Sequence, residues 1–170
     1  MEVASPKVES EYKAVFDDEG NLVLKKKENI KRGGKSKRSG VQFEARVRKD
    51  LEEKGFVVDK WTNNIDLEEN RVVPAKRKFN PFNKVMTIGT GFPDFVAIQR
   101  RGDLFEVIGV EVKQNGKLSR VEKKKCAWLL EKGVFNEVWV ASKGKEGRRV
   151  KVIYDDFLER YKGWVDGNKK

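Results

Sequence analysis

Two charged side chains, Glu111 and Lys113, stand at the end of a mostly apolar run, and no other feature constrains this chain as tightly. The run, residues 104–113, reads as a strand. Ahead of it lies a second apolar run, residues 94–99, opened by Gly91 and Pro93. Between the two, Arg100, Arg101, Gly102 and Asp103 have the chemistry of a tight turn, so the pair reads as a β-hairpin. Side chains alternate across a strand, so Glu111 and Lys113 share one face while Val110 and Val112 take the other. Asp94 opens the first strand, and the turn brings its carboxylate alongside Glu111. Charge at the end of an apolar strand costs free energy unless it is paired or ligates a cation. Two carboxylates and one ammonium at one end of a sheet suit a hard cation such as Mg²⁺. An exposed Glu111–Lys113 salt bridge at a strand end is the plainer alternative.

Composition narrows the chemistry further. The chain has 170 residues, enough for one domain with an extra segment and a real core. It has no histidine, which excludes a Ser-His-Asp triad, a histidine general base and the usual zinc sites. Its one cysteine, Cys126, excludes an internal disulfide and reads as a buried helical residue. Acid–base work therefore falls to carboxylates, lysine or a metal-bound water. A net charge of +11 favours a polyanionic partner, nucleic acid first and an acidic membrane surface second. No stretch has the length and apolarity of a membrane span or a secretory signal, so a soluble, cytoplasmic protein with no membrane partner is expected. Abundant Lys and Glu with scarce Cys and Met fit a thermophilic source, against which a melting temperature in the mesophile range would count.

Along the chain, residues 1–24 form an acidic N-terminal extension in which residues 13–16 and 21–24 flank a turn-like Asp17, Asp18, Glu19 and Gly20. A small hairpin and a disordered tail are both compatible with this pattern. Residues 25–40 hold eight Lys or Arg against one Glu, with Gly and Ser interspersed, and read as a flexible basic arm. Lys31, Arg32, Lys35, Lys37 and Arg38 are its candidate phosphate contacts, although a solvated linker has the same composition. Phe43, Val47 and Leu51 make a helical stripe within residues 41–54, with Ser39 as N-cap and Gly55 as the stop. Glu44 lies beside that stripe, where a carboxylate in a first turn also serves the helix dipole. Residues 55–61 read as a short strand.

Residues 62–92 read as a long polar loop. Lys76, Arg77 and Lys78 interleave there with Phe79 and Phe82, as a groove or single-strand contact would, or as a surface loop pinned by two core rings. Gly89, Gly91 and Pro93 suggest a close approach of backbone to the site. After Lys113 come a turn at residues 114–116 and a helix from Ser119 to about Lys132. Ser119 and Glu122 are placed for a capping box. Residues 137–142 read as a strand, 143–147 as a turn, 149–153 as an edge strand and 155–164 as a last helix or turn.

Pro93-Asp94 followed on a paired strand by Glu111-Val112-Lys113, and then by a helix and a strand, resembles the PD-(D/E)XK nuclease superfamily. The basic opening, the Glu44 helix, the Gly55-Phe56 strand entry and the PDFVAI and GVEVK strands are similar to archaeal Holliday-junction resolvases over residues 31–154. The stretch GKLSRVEKKKCAWLL is similar to the helix of VRR-type nucleases, with Glu122 where that helix carries glutamine. The connection 62–92 is longer than in a compact resolvase and has no serine, leaving Thr62, Asn63 and Thr87 as polar substitutes.

The resemblance implies an α/β, restriction-endonuclease-like core, a mixed central β-sheet flanked by helices, over residues 41–163, with 164–170 as a tail. It implies a Mg²⁺- or Mn²⁺-dependent endonuclease whose catalytic set is Glu44, Asp94, Glu111 and Lys113. Asp94, Glu111, the Val112 carbonyl and Glu44 would be metal ligands. Arg46, Arg48, Gln114, Lys117, Lys123 and Lys124 join the arm and Lys76, Arg77 and Lys78 as candidate DNA contacts. Branched or duplex DNA and a homodimeric partner follow from the same likeness. A sequence-specific endonuclease of viral or plasmid defence, and an inactive DNA-binding protein on a nuclease fold, are the alternatives.

Overall fold

The computed structural model describes residues 11–17, 21–80, 85–89 and 91–167. The chain divides into two compact units, Met1–Gln42 and Phe43–Lys170. In the first, β1 (Tyr12–Phe16) pairs antiparallel with β2 (Leu22–Lys26), so the expected hairpin is present. The turn residues 18–20 lie outside the described residues.

The basic segment is not the flexible arm its composition suggests. Helix α1 spans Lys27–Glu53, and Ser39 lies inside it rather than at its start. Nucleating a helix is costly but extending one is cheap. The buried stripe of Phe43, Val47 and Leu51 anchors the C-terminal turns of α1, and the Lys, Arg and Gln residues before it are good helix formers. Gly33, Gly34 and Gly40 weaken the extension without ending it. Glu44 is consequently mid-helix.

In the second unit, β3 (Val57–Lys60), β8 (Phe95–Arg101), β9 (Leu104–Val112), β10 (Glu137–Glu146) and β11 (Arg149–Asp156) form one sheet, ordered β11-β10-β9-β8-β3. β9 and β10 run parallel and every other neighbouring pair is antiparallel, so the sheet is mixed. Helix α2 (Arg120–Glu131) makes the crossover that a parallel pair requires. The hairpin expected around Gly102 is there, with Arg101 paired to Leu104 and Gly102 at φ 63. β10 runs on to Glu146 through most of the turn expected at 143–147 and pairs with the edge strand β11. The chain closes with α3 (Phe157–Arg160) and α4 (Lys162–Gly167), so residues 164–167 are helical and not a tail.

The long loop is also corrected. It contains two antiparallel pairs, β4 (Asn63–Asp66) with β5 (Arg71–Pro74), and β6 (Arg77–Asn80) with β7 (Val85–Ile88). Strands of four residues with mixed polarity have no readable period, which is why the sequence hides them. Ile65, buried in the core, anchors the first pair. Residues 81–84, with Phe82, lie outside the described residues.

Apolar residues divide between the two faces of the sheet by strand alternation. Phe95, Ala97, Ile108, Val110 and Ala141 pack with Phe43, Val47 and Leu51 of α1. Val138 and Val140 pack with Cys126 and Leu129 of α2 and Phe157 of α3. Two glycines test this account with opposite signs. At Gly34 a Cβ meets nothing within 4 Å, so Gly34→Ala is expected to stabilise α1 by about 0.5–1 kcal/mol. At Gly91 a Cβ would sit 2.0 Å from the Trp61 carbonyl oxygen and 2.4 Å from that of Asn63. Backbone cannot yield as a side chain does, so Gly91→Ala should cost about 2 kcal/mol or more. Thermal melts with far-ultraviolet circular dichroism read both.

Candidate functional site

Asp94 immediately precedes β8, and Glu111 is the penultimate residue of β9. The register that pairs Phe95 with Val110 sets Asp94 across from Glu111. Both belong to the face that carries Val96 and Val107, the α2 side of the sheet. Gly109 leaves room for this arrangement, because a Cβ there would lie 2.9 Å from Phe135 and 3.0 Å from Pro93. The backbone on both sides is fixed. Asp94 accepts the Val112 N–H through Oδ2 at 2.9 Å, and its carbonyl accepts the Trp61 N–H at 3.2 Å. The Lys113 N–H donates to the Ala141 carbonyl at 2.9 Å, extending the β9–β10 ladder by one residue.

The side chains then close on one another. Lys113 Nζ lies 3.0 Å from Glu111 Oε1 and 2.6 Å from Glu122 Oε1. Glu111 is 4% exposed, and its second oxygen is buried without a partner. Among the described residues only one other buried side-chain polar atom lacks a partner, Trp61 Nε1. An ionised, buried carboxylate oxygen with nothing to accept from is unstable by more than an ordinary hydrogen bond. Burial, reinforced by the neighbouring Asp94 charge, pushes Glu111 up to about 8 despite Lys113. Burial, with help from the charge of Glu44, pushes Asp94 up to about 6 against the pull of the Val112 N–H. Burial draws Lys113 down, but the Glu111 charge and the Glu122 hydrogen bond outweigh it and hold Lys113 firmly as an ammonium. Partial burial pushes Glu122 up, but the hydrogen bonds from Lys113 and Ser119 win and lower it.

Glu44 approaches differently. It sits on α1, which packs on the opposite face of the sheet, and its carboxylate is held by Lys60 Nζ at 3.1 Å. Its charge still reaches Asp94. Among the described residues no three acidic, histidine or cysteine side chains come together as a ready metal cage. Asp94, Glu111, Lys113 and Glu122 gather at one strand end on the α2 side, whereas Glu44 is held by Lys60 on the other face. The unpartnered Glu111 Oε2 is an oxygen donor of the kind a hard dication such as Mg²⁺ prefers.

The remaining candidates are dispersed. Lys31, Arg32, Lys35, Lys37 and Arg38 are exposed along α1, and Arg32 bonds Asn29. Arg46 donates to the Val150 carbonyl and Arg48 to the Val58 carbonyl and Glu52. Lys76, Arg77, Lys117 and Lys124 are exposed, whereas Lys123 lies 4.4 Å from the Tyr161 ring centroid. The Lys78 and Thr87 side chains lie outside the described residues. Gln114 accepts from Lys143 Nζ at 2.7 Å. Two members of the cluster escaped sequence reasoning. Lys60 became a neighbour only through the pairing of β3 with β8, which no local pattern signals. Glu122 was legible as a helix cap, and its acidic character at that position was the available clue.

Comparisons with protein-family models, with curated proteins and with solved structures give no match.

A carboxylate raised by the fold favours the protonated form, so its contribution to stability is full near and below the ordinary value of 4.5 and is lost as pH climbs through about 8. Glu111→Gln removes that loss. The variant is expected to melt above wild type at pH 8, by about 1–3 kcal/mol, with the gap closing toward about pH 5. Thermal melts across that range check the sign.

Proposed function

We propose that this chain is a divalent-cation-dependent endodeoxyribonuclease of the PD-(D/E)XK type, with branched DNA as its leading substrate class. One observation carries the reading: Glu111 is buried opposite Asp94 with an unpartnered oxygen, and a committed ammonium, Lys113, stands at the same strand end. A buried carboxylate with one oxygen left unpartnered is a poor device for stability and a good one for ligation.

Asp94 and Glu111 would hold the cation, with the Val112 carbonyl beside them and Glu44 reaching in directly or through water. A bound Mg²⁺ or Mn²⁺ supplies an acidified water and charge stabilisation at a phosphodiester. Lys113, kept protonated by its two carboxylates, acts as donor and cation rather than as base. It would orient the attacking water or neutralise charge growing on a phosphate oxygen. Lys117 and Lys124 of the second unit would contact flanking phosphates, and the exposed Lys and Arg of the first unit would add phosphate contacts of their own. Two symmetric cuts ask for two such sites, and hence for a homodimer.

The rival reading, a DNA-binding protein without activity, draws on Glu44 being engaged by Lys60 and not aimed at Asp94 and Glu111. Incubation of end-labelled four-way junction, linear duplex and single strand with Mg²⁺, Mn²⁺ or EDTA separates the two. Symmetric nicking of the junction is expected in either metal and not in EDTA, with Glu111→Ala lowering the rate by about 100-fold or more. Equal cutting of linear duplex would favour a general or sequence-specific endonuclease. Tight binding with no cutting in any metal would sink the nuclease reading. Protons compete with the cation for Asp94, so at sub-saturating Mg²⁺ the rate should rise with pH from about 6 upward.

A further inference from the structure

Glu122 divides its two oxygens between two tasks. Oε2 accepts the Ser119 N–H at 2.7 Å while the Glu122 N–H donates to Ser119 Oγ at 3.3 Å, completing the capping box at the start of α2. Oε1 lies 2.6 Å from Lys113 Nζ, closer than the 3.0 Å that separates Nζ from Glu111. A capping box alone asks nothing of a lysine on another element, and glutamine serves it as well as glutamate. The reach-back to Ser119 fixes the Glu122 side chain against its own helix, so Oε1 is presented to the strand end in one orientation. Lys113 has its backbone locked to β10 and its head group between two anionic oxygens.

These two carboxylates are not equivalent. Glu111 is the buried one with an unpartnered oxygen, and Glu122 is the more exposed one fully engaged in the cap and the ion pair. If a cation draws Glu111 toward itself, Lys113 loses one partner and keeps the other. We infer that Glu122 is a positioning residue for Lys113, an anchor on the first turn of α2 that keeps the ammonium at the end of β9 once Glu111 is committed to a cation. This rests on the hydrolytic reading of Asp94, Glu111 and Lys113 for its consequence in catalysis, but not for the contact itself.

Glu122→Gln separates the two tasks, because glutamine can still reach the Ser119 N–H but offers Lys113 no charge. Ser119→Ala is the converse, weakening the cap while leaving the ion pair. With ¹⁵N-labelled lysine, the wild type should give a slowly exchanging Lys113 ammonium signal, assigned by its loss in Lys113→Met and retained when Ca²⁺ is added. In Glu122→Gln that signal should broaden or vanish once Ca²⁺ is added, while the melting temperature stays within a few degrees of wild type. On junction DNA with Mg²⁺, kcat should fall about ten-fold or more with KM changed less than about two-fold. Ser119→Ala should melt lower, by about 1 kcal/mol, yet keep the ammonium signal and kcat. A Lys113 signal that stays unchanged in Glu122→Gln with Ca²⁺ present would overturn the inference. So would a loss expressed only in KM. A wild type that cuts nothing would sink the hydrolytic reading instead, and the ammonium signal alone would then decide whether Glu122 holds Lys113.

Discussion

Everything in the second unit is arranged around the antiparallel register that sets Asp94 across from Glu111. Like charges placed opposite each other in a ladder repel, and burial makes the repulsion worse because water is not there to screen it. Apolar packing on both faces of the sheet tolerates this arrangement. Phe95, Ile108 and Val110 are fully or almost fully buried within three residues of the pair, and their burial pins the strands in that register. A one-residue slip would turn the apolar set to the wrong faces, so the register is over-determined and the charges must be accommodated where they fall.

Accommodation comes from three directions. The Val112 N–H takes one oxygen of Asp94, and Lys113 takes one oxygen of Glu111. Lys60, arriving from the edge strand β3, holds Glu44 and lends its charge to Asp94. What is left over is negative, local and under-bonded. Buried ion pairs of this kind contribute little net stability, since desolvation offsets most of the Coulombic gain. Stability therefore does not account for the charges at this strand end.

The hairpin, the facing of Glu111 and Lys113, the α1 stripe and the α2 capping box were legible because each rests on a period or a cap read within a few residues, whereas the turn, read as Arg100–Asp103, is only Gly102 and Asp103. The basic segment was misread because its glycines and charges describe an isolated peptide, whereas in the chain it extends a helix already nucleated by Phe43, Val47 and Leu51. The pairs inside residues 62–92 were missed because four-residue strands leave no periodic trace, and their one clear anchor, Ile65, is a single residue. Lys60 was invisible because strand order is not written locally.

By itself the sequence determined which chemistry is open to this chain. With no histidine and a single cysteine, acid–base and ligating work falls to carboxylates and lysines, and strand alternation puts Glu111 and Lys113 on one face. Tertiary structure alone decided which carboxylate is which. Burial depth separates Glu111, left with an unpartnered oxygen, from Glu122, exposed enough to stay ionised and fastened to a helix cap. It also placed Glu44 beside Lys60 on the far face of the sheet. The reason is dielectric and geometric: the same carboxyl group is a ligand, a counter-ion or a cap according to how much water it keeps and which donor reaches it first, and neither is a property of the chain until it folds.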